Sequence, residues 1–300
     1  MFYKKRSDNF IDQFTSFSFI LPALILFAIF NIYTFFDLFR LSFLDTKGLP
    51  NSEEVFVGLA NYIYVLSDKV WWASVGRATI ITILALTVQN ALALILALLV
   101  DRGVRGNLFY KVVFFLPPVL SGVVVGIVWG WIFDGYDGIF NHFLSIVNLD
   151  QFSSISWLAN ENTALFTVAF IHMWKGFGWG FVILLAGLQN IDTELYEAAE
   201  VDGAAWWPQF YHITIPFMIP VFVLVSILTI LGSMQIYDII VATTNGGPGF
   251  ATEVPITRIF ESMSSTVQRF GVASAQGVVF GILLLFVSLG QINFSNRYKV

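Results

Sequence analysis

The sequence predicts an all-α integral membrane protein with six transmembrane helices, and three observations carry that expectation. Hydrophobic residues make up 57% of the 300 residues and charged residues only 12%, about half the charged share of an ordinary soluble domain. Six runs meet the length needed to cross a bilayer, about 20 mostly apolar residues. Five of these runs hold no charged residue, and the fourth holds only Lys175.

In chain order, residues 1–16 read as a cytoplasmic tail ending in the first span, Phe17–Phe36. That run follows Lys4, Lys5 and Arg6 but exceeds a secretory apolar region of about 7–15 residues and lacks a small-x-small cleavage site, so it is expected to be retained. Asp37–Trp72 is a long connection containing Gly48, Pro50 and Gly58. The second span is Ala78–Val100, with Arg77 at its edge as an interfacial anchor, and a tight basic turn, Asp101–Lys111, follows. In the third span, Val112–Phe133, Pro117-Pro118 removes backbone donors and is expected to kink or break the helix. Asp134 and Asp137, flanked by Gly135, Tyr136 and Gly138, read as turn residues rather than an acid–base pair. The fourth span is Thr163–Leu188 and the fifth Ile213–Tyr237, joined by a polar loop over 190–216. A turn-rich stretch, Thr244-Asn245-Gly246-Gly247-Pro248-Gly249, precedes the sixth span, Val272–Ile292. Residues 294–300 form a short tail, so 17–293 is one transmembrane domain.

Lysine and arginine set the expected orientation, because short cytoplasmic segments carry an excess of them. A cytoplasmic N-terminus puts Lys4, Lys5, Arg6, Arg102, Arg105, Lys111, Arg297 and Lys299 inside. Only Arg40, Lys47, Lys69, Arg258 and Arg269 fall in the longer outside segments, so both termini are expected in the cytoplasm. One inside segment departs from the pattern: residues 189–212 lack Lys and Arg yet hold Asp192, Glu194, Glu197, Glu200 and Asp202. A cytoplasmic loop without positive charge is expected to meet a protein rather than lipid headgroups.

The same loop carries a helix start, since Asp192 can cap and Glu194 faces the helix dipole. Leu195, Ala198, Ala199 and Asp202 then share one face. Gly203 is expected to end that helix, and Ala204–Tyr211 to form a second short one before Pro216 restarts the chain as a span. Two short helices meeting at a glycine make a compact knob that fits a socket on another protein.

Within the membrane, an ionisable residue is a functional candidate by default, and Lys175 lies near the middle of the fourth span. His172, Lys175, Gly176 and Trp179 follow i, i+3, i+4, i+7, one stripe on one face. Ser226, Thr229 and Ser233 make a hydroxyl stripe on the fifth span. An aromatic ring facing hydroxyls and a lysine suits a hydrophilic ligand such as a sugar, whereas the structural alternative is helix-to-helix glue.

Other chemistries find no residues. No lysine follows a glycine or precedes Ser or Thr, so a phosphate-binding loop is lacking. His142, His172 and His212 stand far apart without carboxylates at ligand spacing, so no metal is expected, and the lack of cysteine removes thiolate sites. No nucleophile–base pair stands out, and nucleic acid is not an expected partner.

The loop pattern Glu197-Ala198-Ala199-x-x-x-Gly203, nine residues, then Ile213-x-x-Pro216 resembles the signature loop of permease subunits of binding-protein-dependent ABC importers. Further stretches are similar to the carbohydrate-uptake, maltose-F-like branch: Leu21-Pro22-Ala23, Val57-Gly58-Leu59-Ala60-Asn61-Tyr62, Phe114-Phe115-Leu116-Pro117-Pro118, Ala186-Gly187-Leu188-Gln189, Gly246-Gly247-Pro248-Gly249 and Phe270-Gly271-x-Ala273-Ser274-Ala275. The resemblance implies an ABC type I importer permease fold, in a bacterial or archaeal cytoplasmic membrane, surrounded by lipid. It implies a heterodimer with a second permease, a dimer of ATPase subunits, and an extracytoplasmic solute-binding protein. The chain would bind no cofactor itself, with ATP and Mg on the ATPase, and would not be an enzyme.

By the same resemblance the coupling loop comprises Glu197, Ala198, Ala199, Asp202, Gly203, Phe210, Ile213 and Pro216. The substrate path would include His172, Lys175, Gly176, Trp179, Thr229 and Ser233. Ile215-Pro216 stands where relatives usually have Leu-Pro, and Ala205-Trp206-Trp207-Pro208 replaces a segment that is often basic. The expected function is half of the translocation path for a sugar or oligosaccharide in an ATP-driven importer. Alternatives are another polar solute, such as glycerol phosphate or a polyol, or an ion-coupled secondary carrier. The carrier is disfavoured because the six runs hold no carboxylate for ion coupling.

Overall fold

The computed structural model describes residues 5–49, 52–103, 105–265 and 267–296. Lys4, Pro50, Arg297 and Lys299, named above, lie outside them. Among the described residues, five helices are long and apolar enough to cross a membrane: Phe17–Leu41, Lys69–Asp101, Ala164–Gln189, Trp206–Met234 and Phe270–Asn293. Asn107–Val119 and Gly122–Ile132 together meet the same test as a pair bent by 96°, which makes six crossings where the pair counts as one span.

The chain divides into two compact units. One runs to Ser67 and includes Ser262–Val279. Its long first helix has no buried residue in its apolar window. A two-stranded antiparallel ladder follows, pairing Leu44 with Phe56 and Asp45 with Val55. Asn61 Nδ2 closes it from the Ala60–Ser67 helix, donating to the carbonyls of Ser42 at 3.0 Å and Leu44 at 2.9 Å. Gly271 packs against the Leu44 carbonyl, where a side chain would not fit.

The other unit, Asp68–Glu261 with residues from Phe280 onward, contains spans two to five. Small residues let these helices approach closely, as expected where lipid gives no hydrophobic drive between them. Ala93 and Ala97 of the second span, Phe181, Leu184 and Leu188 of the fourth, and Met218 and Val225 of the fifth make one buried cluster. Gly180 lies against Ala93, and Gly187 against Met218 and Val221.

Two span starts differ most from the sequence expectation. The second span starts at Lys69 rather than Ala78, because Asp68 caps it, its carboxylate accepting from Val70 N at 2.9 Å. The fifth starts at Trp206 rather than Ile213, so the expected separate helix over Ala204–Tyr211 and restart at Pro216 are corrected to one continuous element. A widened turn over Phe210–Thr214, in which Ile215 N bonds to the Phe210 carbonyl, absorbs the donor that Pro216 lacks.

The third span does break. Pro117 and Pro118 stay inside the last turn of Asn107–Val119, and the chain turns at Leu120 and Ser121. Pro118 has no N–H for the Phe114 carbonyl, and Gly178 of the fourth span packs directly on that carbonyl. Asp134 forms the expected turn, its Oδ1 accepting from Tyr136 N at 2.9 Å and Asp137 N at 3.0 Å. Those bonds, Asp137's foremost, hold its carboxyl below the usual range.

Candidate functional site

Two features of the second unit concentrate the candidate residues. The first is a cavity of about 610 Å³ between the fourth and fifth spans. His172, Lys175, Gly176 and Trp179 reach it from the fourth span because 3.6 residues per turn places them on one face. Thr229 and Ser233 reach it from the fifth, so all six path candidates line one space.

Hydrogen bonds fix the polar wall. His172 Nε2 and Ser233 Oγ share one of 2.9 Å, and Thr229 Oγ1 donates to Asn90 Oδ1 at 3.2 Å. Gly176 leaves room for Gln89, whose amide lies where a Cβ would stand. The Trp179 indole is 55% exposed and meets Phe115 edge-to-face at 5.2 Å. The wall therefore offers hydrogen-bonding groups beside an open aromatic face, the surface that covers the C–H side of a polyhydroxylated ligand.

Sequence reasoning missed part of this wall. Gln89, Phe115, Gln235 and Asp238 also line the cavity. Gln89-Asn90 was signalled by being an amide pair in mid-run among aliphatic residues. Asp238 escaped because it lies just beyond the fifth span, starting the Asp238–Thr243 helix. Ser226 does not join Thr229 and Ser233. It lines a separate groove of about 500 Å³ with Phe222, Val287 and Gln291.

The second feature is the Thr193–Val201 helix, which has no buried residue. Asp192 caps it, accepting from Glu194 N at 3.0 Å. Its far end closes by paired bonds, Gly203 N to Glu200 O at 2.9 Å and Ala204 N to Ala199 O at 2.8 Å, with Gly203 at φ +80°. That left-handed position favours glycine. Tyr196 OH and Thr214 Oγ1, 2.9 Å apart, tie the helix to the first turns of the fifth span. Glu197, Ala198, Ala199, Asp202 and Gly203 therefore sit together on the knob. Phe210, Ile213 and Pro216 lie instead on the adjoining span, where Ile213 packs against the buried cluster.

Residues 89–299 match the family described as binding-protein-dependent transport system inner membrane component. The chain is 32% identical over 283 residues to the probable ABC transporter permease protein YurN of Bacillus subtilis (strain 168), covering 94% of this chain and 96% of that one. It is 30% identical over 267 residues to the trehalose/maltose transport system permease protein MalF of Thermococcus litoralis (strain ATCC 51850 / DSM 5473 / JCM 8560 / NS-C), covering 89% and 88%. A solved bacterial ABC transporter involved in alginate import has a chain that superposes with a TM-score of 0.85 at 20% identity, covering 99% of this chain and 100% of that chain.

Proposed function

We infer function from one premise: the chain belongs to the family of binding-protein-dependent transport inner-membrane components, the permease subunits of ABC importers. It is a multi-pass membrane protein with a transport rather than a catalytic role. We propose that it forms half of the path for a sugar or oligosaccharide, paired with a second permease and driven by two ATPase subunits. The ATPase would hold ATP and Mg. A solute-binding protein would deliver the ligand on the other side.

The observation that carries this reading is the exposed acidic helix Thr193–Val201, joined through Gly203 to the span that lines the cavity. A partner that grips the helix applies force to the Trp206–Met234 span and so to the wall holding Thr229 and Ser233. Coupling would need no residue that touches nucleotide. In this reading the knob, both termini and the Asp101–Lys111 turn face the cytoplasm, as the lysine and arginine distribution supports.

Gly203→Pro and Glu197→Lys test it. Each variant is expected to insert and assemble normally while solute-stimulated ATP hydrolysis falls to background. Normal stimulated hydrolysis in either variant would refute the coupling role. A second reading, a polar solute bearing a negative group such as glycerol phosphate, is favoured by Lys175 in the cavity wall. Competition between neutral sugars and glycerol phosphate for uptake separates the two.

A further inference from the structure

Trp206, Trp207 and Tyr211, which follow Gly203, are not among the coupling-loop residues, yet they form an ordered exposed surface at that end of the chain. Trp206, Trp207, Phe210 and Tyr211 recur at i, i+1, i+4 and i+5, forming one ladder along the first turns of the fifth span. Trp206 stacks on Phe210 at 5.3 Å and Trp207 on Tyr211 at 6.1 Å, and the two indoles meet at 4.4 Å. Trp206, Trp207 and Tyr211 remain 40%, 59% and 58% exposed. The Arg102 guanidinium lies 4.8 Å from the Trp206 ring centre, a cation–π contact from the turn that also carries Arg105 and leads into the Asn107–Val119 helix with Lys111.

Length places this ladder in a bilayer. The Trp206–Met234 helix has 29 residues and rises about 43 Å at 1.5 Å per residue, against a hydrocarbon core of about 30 Å. Its polar end therefore projects through the headgroup layer, where tryptophan and tyrosine rings settle. Charge selects the headgroup: Arg102, Arg105 and Lys111 outnumber Asp101 over the neighbouring segment 101–111. The knob beyond, with Asp192, Glu194, Glu197, Glu200 and Asp202, has the opposite sign and is repelled by an anionic surface.

We propose that Arg102, Trp206, Trp207 and Tyr211 form a docking surface for anionic phospholipid headgroups, one that sets the height of the acidic helix above the membrane. The rings anchor the span at a fixed depth and the guanidinium selects phosphatidylglycerol-type headgroups. The acidic helix then stands off the lipid with its docking face free. Coupling inherits a dependence on lipid charge.

The chain contains no cysteine, so Tyr211→Cys provides a unique site for a spin label. The full chain, assembled with its partner subunits, is placed in nanodiscs of phosphatidylcholine with or without phosphatidylglycerol. The label is expected to read headgroup depth before and after the ATPase is removed. Phosphatidylglycerol is expected to raise solute-stimulated hydrolysis in the wild type. Arg102→Gln, in the unlabelled chain, should weaken that preference about fivefold, the effect of one cation at an anionic surface. A label in bulk water without the ATPase, shielded only when the ATPase binds, would assign the ladder to a protein interface and overturn the proposal. So would a phosphatidylglycerol response unchanged by Arg102→Gln. Stimulated hydrolysis that is normal in both lipids leaves the coupling reading standing and removes only the lipid surface.

Discussion

Trp179 shows what one side chain contributes to the cavity. Its indole is the largest open aromatic face among the path candidates, held by Phe115 alone among the ring contacts described. Aromatic contact is worth about 0.5–1.5 kcal/mol beyond area burial, so Trp179→Ala should cut uptake about two- to thirteenfold while the complex still assembles. Unchanged uptake kinetics would remove Trp179 from the path. Glu253 gives a separate, pH-linked expectation. It is 4% exposed, with Oε1 3.7 Å from Arg258 Nη1, while Arg77 Nη1 donates to its backbone carbonyl at 3.4 Å. Arg258 also pairs with Asp68 and Glu261. Burial, reinforced by Glu261 and opposed by Arg258 and Arg77, pushes the Glu253 carboxyl from its ordinary 4.5 up to about 7. A raised carboxyl favours the fold in its protonated form. Its contribution is complete below the ordinary value and lost as pH rises through about 7. Glu253→Gln should flatten the fall in thermal stability between about pH 4.5 and 7, and an unaltered slope would contradict this. At this scale the cavity-lining stripe was legible because helical spacing alone aligned His172 with Trp179. Asp238 was not, because a residue just outside a hydrophobic run carries no hydropathy signal.

Helix ends depend on caps and widened turns, and there the sequence was only partly legible. Asp192 and Gly203 marked the knob correctly because capping is local chemistry. The continuity of Trp206 with the fifth span was hidden by Pro216, whose usual meaning is a stop, and by a widened turn that composition does not announce. The break in the third span was visible in Pro117-Pro118, but its support was not. Gly178 must meet the Phe114 carbonyl and Pro118 from another helix. Gly178→Ala forces a methyl into that contact and should destabilise the unit by about 1–3 kcal/mol, the usual cost of overpacking, read as a lower melting temperature in detergent. A wild-type melting point would show that the contact is slack. Gly203 behaves differently, since nothing lies within 4 Å of the position a Cβ would take. Gly203→Ala should cost only the left-handed strain of about 1–2 kcal/mol and leave partial coupling, whereas Gly203→Pro should leave none.

For the whole chain, class and membrane crossing were legible from hydropathy, because a bilayer demands long apolar runs whatever the fold. The arrangement that brings spans two to five around one cavity depended on glycine and alanine contacts among distant residues, which no local pattern encodes. The chain joins a wall that suits a hydrophilic solute to a knob that suits a protein partner. Uptake into proteoliposomes containing this chain, the proposed second permease and the proposed binding protein tests that join most directly. With the ATPase subunits and ATP present, uptake should proceed at full rate, and with an imposed proton or sodium gradient alone it should be absent. Uptake that persists without the ATPase while the ion gradient is intact would contradict the account.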